Sequence, residues 1–93
     1  MNIDCITCKR PLSRAAFISV LVMGDEYIHS FFLCEACNQY TVELYHDHFM
    51  GDDSVSTHRK SREEGDRLVK LIETCSTPEE KFCKCPAHKE FGG

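Results

Sequence analysis

The stretch FFLCEACNQYTVELYHDHF, Phe31 to Phe49, decides the fold because it places two cysteines, with two residues between them, at a change of secondary structure. The residues before Cys34 are aromatic and aliphatic, which is typical of a β-strand. From Glu35 to about Met50, residues recur at helical spacing. These are Thr41, Leu44, Tyr45 and His48. We therefore predict that a strand ends at Cys34 and that a helix begins with the cysteine pair.

A β-hairpin is predicted immediately before this point. Its strands run from Phe17 to Met23 and from Tyr27 to Cys34, and both are rich in β-branched, aromatic and large aliphatic residues. The GDE segment, Gly24 to Glu26, supplies turn residues between them. Both faces of this hairpin are apolar, so both need cover.

Two C-x2-C pairs, Cys5 with Cys8 and Cys34 with Cys37, flank the hairpin. Each such turn lets two thiolates converge on one ion, and two turns complete the four-sulfur tetrahedron that zinc accepts. Iron in a four-sulfur site uses the same ligands. We predict a metal site of these four cysteines, with zinc as the expected ion.

The predicted order is a short turn with Cys5 and Cys8 (the knuckle), a hairpin, the second ligand pair and a helix. This is the order of a treble clef, a zinc-finger type related to zinc ribbons. It resembles the N-terminal zinc-binding domain of the ClpX unfoldase, in which a C-x-x-C knuckle and a hairpin lead into C-[acid]-x-C and a helix with Val and Leu. The resemblance covers about the first half of the chain. It implies a metal-held module that dimerises or docks proteins rather than one that catalyses. The matching residues are Leu33, Cys34, Glu35, Ala36, Cys37, Val42 and Leu44.

The remaining chain divides into a linker with a helix, residues 51–75, and a cysteine-rich tail, residues 76–93, after the zinc module of residues 1–50. The helix is predicted from about Ser56 to Cys75, and Gly65 within it marks a bend or close packing, since glycine disfavours helix interiors. The predicted buried stripe is Ser61, Gly65, Leu68, Ile72 and Cys75. In the tail, Thr77 to Glu80 reads as a capping box that starts a short helical turn.

The tail also carries a second candidate metal set. Cys75, Cys83, Cys85 and His88 would make a Cys3His site, and with it all seven cysteines would be ligands. The alternative is that Cys75 belongs to the apolar stripe while Cys83 and Cys85 are loop thiols. On this interpretation the chain binds two zinc ions.

The other histidines are alternatives to His88 as a ligand, but packed or surface positions are expected for them instead. His46 and His48 lie two residues apart, so on a helix they face different directions. His58 falls in a basic, solvated stretch, and His29 alternates with apolar residues on a strand.

Size and composition agree with a metal-stabilised domain. A chain of 93 residues buries a modest core, and seven cysteines in that length point to disulfides or metal as the stabilising element. The odd cysteine number and an N-terminus without signal-peptide character favour reduced thiols and the cytoplasm. The overall expectation is a small α+β metal-stabilised domain.

The function expected from these features is that of a non-catalytic zinc-binding protein, an interaction adaptor or a small accessory subunit. The apolar hairpin would meet a protein partner or a second copy of the chain, unless the helix around Leu68 to Ile72 folds back to cover it. No nucleophile, base and acid constellation indicates an enzyme, and no segment indicates a membrane. Nucleic-acid binding through His58 to Arg62 is less favoured, because the net charge is −4. The further alternatives are a zinc and thiol redox sensor and a metal-bearing subunit of a larger enzyme.

Overall fold

Five β-strands follow one another along the chain and pair in the same order, β1-β2-β3-β4-β5, in one antiparallel sheet. The structure is a computed structural model that describes residues 2–48 and 51–92. Two helices follow the last strand. The elements are β1 Asn2–Asp4, β2 Pro11–Val22, β3 Asp25–Cys34, β4 Gln39–Asp47, β5 Ser54–Ser61, α1 Arg62–Glu73 and α2 Pro86–Glu90.

The predicted helix after the second cysteine pair is wrong, because residues Gln39–Asp47 form the strand β4. This strand pairs with β3 along its whole length and with β5 from Gln39 to His46, so its backbone hydrogen bonds are made on both sides. Alternate side chains point to opposite faces, with Tyr40 and Val42 buried on one of them. The treble-clef arrangement therefore lacks its helix here. The part of the prediction that covered Phe49 and Met50 lies outside the described residues.

The second predicted helix begins later than its sequence pattern indicated. Residues Ser54–Ser61 form β5, and the helix α1 spans Arg62–Glu73. Ser61 is its N-cap, because the Ser61 hydroxyl accepts a hydrogen bond of 3.2 Å from the Glu64 backbone N–H. Serine, threonine and valine dominate the segment before this cap, and they suit an exposed strand better than the interior of a helix.

The β-hairpin is confirmed, with a tighter turn than predicted. Val22 pairs with Asp25, so the two turn residues are Met23 and Gly24. Their φ angles are +53° and +88°, the positive values that a two-residue hairpin turn needs. The turn thus lies one residue earlier than the GDE segment.

The capping-box segment forms a single hydrogen-bonded turn rather than a helix. The Glu80 backbone N–H donates to the Thr77 carbonyl oxygen at 3.0 Å. The short helix comes later, at α2, where Pro86 occupies the first helical position.

The main core lies between one face of the sheet and the two helices. It contains apolar side chains from β2, β3, β4, α1 and the α2 region, namely Ile18, Val20, Phe31, Tyr40, Val42, Leu68, Ile72, Cys75 and Ala87. Gly65, Leu68 and Ile72 are the buried residues of α1, and they coincide with three of the five positions in the predicted stripe.

The opposite face of the sheet, here called the open face, carries a row of apolar side chains across three strands. Ile28 pairs with Tyr45, and Tyr45 pairs with Val55, whose exposed fraction is 59%. A hollow of about 250 Å³ lies beside this row. No helix of the described chain belongs to a core on this face.

Gly65 permits close contact between α1 and the sheet, as the sequence predicted. A Cβ atom at this position would overlap the Tyr40 ring, which packs against the helix backbone. We expect Gly65→Ala to lower the free energy of unfolding by about 1–3 kcal/mol through overpacking, although alanine favours a helix by about 1 kcal/mol over glycine. Urea unfolding monitored by circular dichroism measures this change.

Tyr40→Leu supplies the control for this prediction. The smaller side chain removes ring atoms from the overlap, so Gly65→Ala is expected to cost less in the Tyr40→Leu background. An equal cost in both backgrounds would contradict the proposed contact.

Candidate metal centres

The first candidate centre, site 1, is built from two turns that join neighbouring strands. Cys5 and Cys8 lie between β1 and β2, and Cys34 and Cys37 lie at the connection of β3 with β4. The residue after each pair, Lys9 or Asn38, has a positive φ, 66° and 54° respectively. Both turns therefore reverse in the same manner directly after the second cysteine.

Hydrogen bonds hold the two turns in register with the sheet. The Lys9 backbone N–H donates to the Cys5 carbonyl at 2.9 Å, which closes the first knuckle. The Ile6 backbone N–H donates to the Thr41 hydroxyl at 3.4 Å, and the Gln39 amide donates to the Thr7 hydroxyl at 2.6 Å. The first knuckle is thus fixed to β4, which starts just beyond the second pair.

The sulfur spacing in site 1 fits a tetrahedral ion. Cys5 Sγ lies 3.9 Å from Cys37 Sγ, and Cys8 Sγ lies 3.6 Å from Cys34 Sγ. Zinc–sulfur bonds of about 2.3 Å place the sulfurs of a tetrahedron about 3.8 Å apart. All four sulfurs lie within 4.8 Å of one another. The distances are too long for disulfides, and the cysteines are free thiols.

Electrostatics in site 1 also favour a cation. A hydrogen bond from the Cys8 backbone N–H lowers the pKa of the Cys5 thiol to about 6. The pKa of the Cys37 thiol is changed in the opposite direction, because hydrogen bonding with the Cys8 side chain raises it to about 12. Four thiolates at this spacing repel one another unless a positive ion lies between them. A divalent metal would replace the thiol protons and allow all four sulfurs to be ligands.

A small core backs site 1. Cys5, Leu12, Phe32 and Cys34 are buried together, and Ile3 packs against them. Phe32 is fully buried although it lies on the open face of the sheet. This part of the molecule holds few apolar side chains besides the ligands, so a bound ion would supply much of its cohesion.

The second candidate centre, site 2, gathers ligands from three places in the last quarter of the chain. Cys75 follows α1, Cys83 follows the Thr77–Glu80 turn, and Cys85 is the residue that begins α2. His88 belongs to α2 and is fully buried. The four residues therefore tie the two helices and their connection together.

The distances in site 2 match a three-sulfur, one-nitrogen set. Cys75 Sγ lies 3.9 Å from Cys83 Sγ. His88 Nδ1 lies 3.7 Å from Cys75 Sγ and 3.1 Å from Cys85 Sγ. Tetrahedral zinc places nitrogen and sulfur ligands about 3.6 Å apart. The Nδ1 atom of His88 is thus the nitrogen that faces the sulfurs.

The protonation of site 2 follows from the same contacts. Its hydrogen bond with His88 lowers the pKa of the Cys85 thiol to about 6, whereas burial raises the pKa of Cys75. His88 Nε2 is buried and has no hydrogen-bond partner among the described residues. With Nδ1 directed at an ion, Nε2 carries the proton of the neutral imidazole.

Site 2 is fastened to the outer edge of β2. The Ser19 backbone N–H donates to the Pro78 carbonyl at 2.9 Å. Lys81 Nζ lies 4.0 Å from Glu26 Oε1, and the Glu26 carboxylate also accepts a hydrogen bond of 2.6 Å from the Ser19 hydroxyl. Cys75 itself belongs to the main core. The second centre is therefore part of the folded body.

The structure brings together both predicted ligand sets, and each of these groups can hold a metal ion. It also shows a third group that the sequence reasoning missed, namely Asp25, His46 and His48. The sequence analysis predicts a helix here, on which residues two positions apart diverge. In the extended chain of His46, near the end of β4, and His48, just after it, the two side chains face the same side. The alternation of Tyr40, Val42, Leu44 and His46 was the signal that could have shown this.

The two other histidines lie outside these groups. His29 is packed 4.8 Å from the Phe91 ring, and burial lowers the pKa of His29 to about 4. Burial, with Lys60 nearby, also lowers the pKa of His58. Both imidazoles are therefore neutral at pH 7.

Comparison with protein-family models, with curated proteins and with solved structures finds no match for this chain. None of these comparisons shows the resemblance to the ClpX zinc-binding domain. Among the described residues, no helix has the length and apolar character needed to cross a membrane.

The ligand assignment of site 2 predicts a change in metal content. His88→Ala removes the imidazole nitrogen that faces the three sulfurs, so bound zinc is expected to fall from two ions per chain to one. His29→Ala is the matched control, because His29 is also packed against the α2 region but contacts no sulfur. Metal analysis of dialysed protein by mass spectrometry gives the ratio. Two ions per chain in His88→Ala would contradict the assignment.

Proposed function

We propose that this protein is a non-catalytic zinc protein in which two ions, one in each cysteine-rich site, stabilise a domain for protein interaction. The observation that carries this proposal is that both sets supply four protein ligands at tetrahedral spacing. A zinc ion with four protein ligands has no position for water or substrate, which is the arrangement of structural sites. Seven free cysteines suit a reducing compartment such as the cytoplasm.

The proposed zinc dependence can be tested by removal of the metal. Chelation is expected to abolish cooperative thermal unfolding, because without a cation the four sulfurs of site 1 no longer hold their two turns together. Circular dichroism with and without a strong zinc chelator measures the loss, and added zinc should restore the signal. An unchanged melting temperature after complete zinc removal would overturn the structural role.

The proposed interaction surface is the open face of the sheet. The helices cover the other face of the sheet. The packing predicted for Leu68 to Ile72 against the hairpin therefore covers only one of the hairpin's two apolar faces. Ile28, Tyr45 and Val55 form the apolar row described above, and Phe17 adds a half-buried ring under the Arg14 guanidinium, 4.2 Å from its centroid. A flat apolar row on a β-sheet matches the same row on a second copy, so we place a homodimer contact here.

Nucleic-acid binding has weaker support. Three cations of the basic stretch and of α1 have acidic neighbours: Lys60 lies 3.5 Å from Glu64, and Arg62 lies 3.1 Å from Asp66. Arg67 lies 3.8 Å from Glu90. Seven thiolates and two zinc ions would bring the formal charge from −4 to about −7. Phosphate binding needs a concentrated positive field instead.

The dimer contact predicts the effect of a charge on the open face. Ile28→Lys is expected to weaken self-association by roughly tenfold or more, because it places a charge within the apolar row. Met23→Lys is the matched control, since Met23 is 99% exposed at the hairpin turn and lies off the row. Sedimentation equilibrium of the zinc-loaded proteins measures the association constant. A monomeric wild-type chain at every concentration would contradict the dimer.

A further inference from the structure

A third group of potential ligands lies at the end of the sheet that carries the hairpin turn. It consists of Asp25, the first residue of β3, together with His46 and His48 near the end of β4. Asp25 and Cys34 are nine positions apart on β3, a distance of about 30 Å along an antiparallel strand. The group shares no residue with the two cysteine-rich sites.

Strand geometry brings the two imidazoles together. Because His46 and His48 are two residues apart in extended chain, their side chains point to the same side of the sheet. Their ring centroids are 3.6 Å apart. Tyr27 pairs with His46 across the sheet, and its ring stacks on the His46 ring at 4.0 Å with an interplanar angle of 17°. The rotamer of His46 is therefore held by aromatic packing.

Both imidazoles face the same carboxylate oxygen. His46 Nε2 lies 2.9 Å and His48 Nδ1 lies 3.8 Å from the same Asp25 Oδ2. Tetrahedral zinc with nitrogen and oxygen ligands places them about 3.3 Å apart. The two observed distances lie on either side of this value, so small side-chain shifts suffice to centre an ion.

We propose that Asp25, His46 and His48 form a third metal site, one that binds an exchangeable divalent transition-metal ion. Two imidazoles and one carboxylate suit zinc, cobalt, nickel and ferrous iron, and they lack the thiolates that make the other sites selective for soft metals. Three protein ligands leave at least one coordination position for water or for a small anionic or nitrogen ligand. The side chains are partly exposed, 27% for Asp25, 18% for His46 and 41% for His48, so solvent reaches the ion directly.

Calorimetric titration of the full-length protein, already loaded with two zinc ions, tests the proposal. With zinc as the probe, wild type is expected to bind one further equivalent. His48→Ala should weaken this binding by at least about tenfold, and Asp25→Asn should weaken it while it preserves the shape of the side chain. His58→Ala is the matched control, because His58 lies on the neighbouring strand outside the group.

Imidazole nitrogen resonances give a readout that does not depend on affinity. Added zinc should shift the ring signals of His46 and His48 and leave those of His29 unchanged. Binding of the third equivalent with equal affinity by wild type and His48→Ala would overturn the proposal. So would the absence of a third equivalent in wild type that has been shown to be folded by circular dichroism.

Discussion

The arrangement at the Cys34 end of the sheet depends on four sulfurs from two turns that are distant in sequence. The contacting pairs are separated by 32 residues for Cys5 and Cys37 and by 26 residues for Cys8 and Cys34. Few other groups hold β1 and its turn in place, because the local core consists mainly of Leu12, Phe32 and the ligands themselves. An ion shared by these sulfurs would therefore do what a larger apolar core does in longer chains. It would also help to hold the short strand β1, which ends one residue before Cys5.

The same reasoning applies at the end of the chain, with a different balance of forces. The five residues of α2 are too few to form a helix independently. Ala87 and His88 are nevertheless fully buried, and Cys75 lies in the main core beside Ile72. Apolar burial and the proposed metal ligation thus involve the same short segment. The backbone hydrogen bond from Ser19 to Pro78 connects this segment to β2. Site 2 therefore lies at the edge of the sheet that β1 does not pair with beyond Ser13.

The sequence predicted the ligand groups better than it predicted the secondary structure between them. Cysteine chemistry is local and has few alternatives, so the two C-x2-C pairs and the Cys75 to His88 set were recognisable without a fold. The segment from Tyr40 to His48 fits two periodicities: Thr41, Leu44, Tyr45 and His48 match a helix, whereas Tyr40, Val42, Leu44 and His46 match a strand. The strand forms because β3 and β5 satisfy its backbone on both sides, a long-range effect that a single segment does not reveal. The early half of the second predicted helix fails for the same reason, while Gly65 was correctly associated with close packing.

The choice between helix and strand also decides which histidines lie close enough to act together. A helix would separate His46 from His48, whereas the extended chain at the end of β4 brings their ring centroids to 3.6 Å and β3 supplies Asp25 beside them. The three candidate centres then divide by the number of protein ligands. Sites 1 and 2 each supply four, whereas the group of Asp25, His46 and His48 supplies three. A four-ligand centre releases its ion only when protein ligands move away, whereas a three-ligand centre keeps a coordination position open to solvent. The fold therefore combines two centres suited to hold structure with one suited to respond to the metal concentration around it.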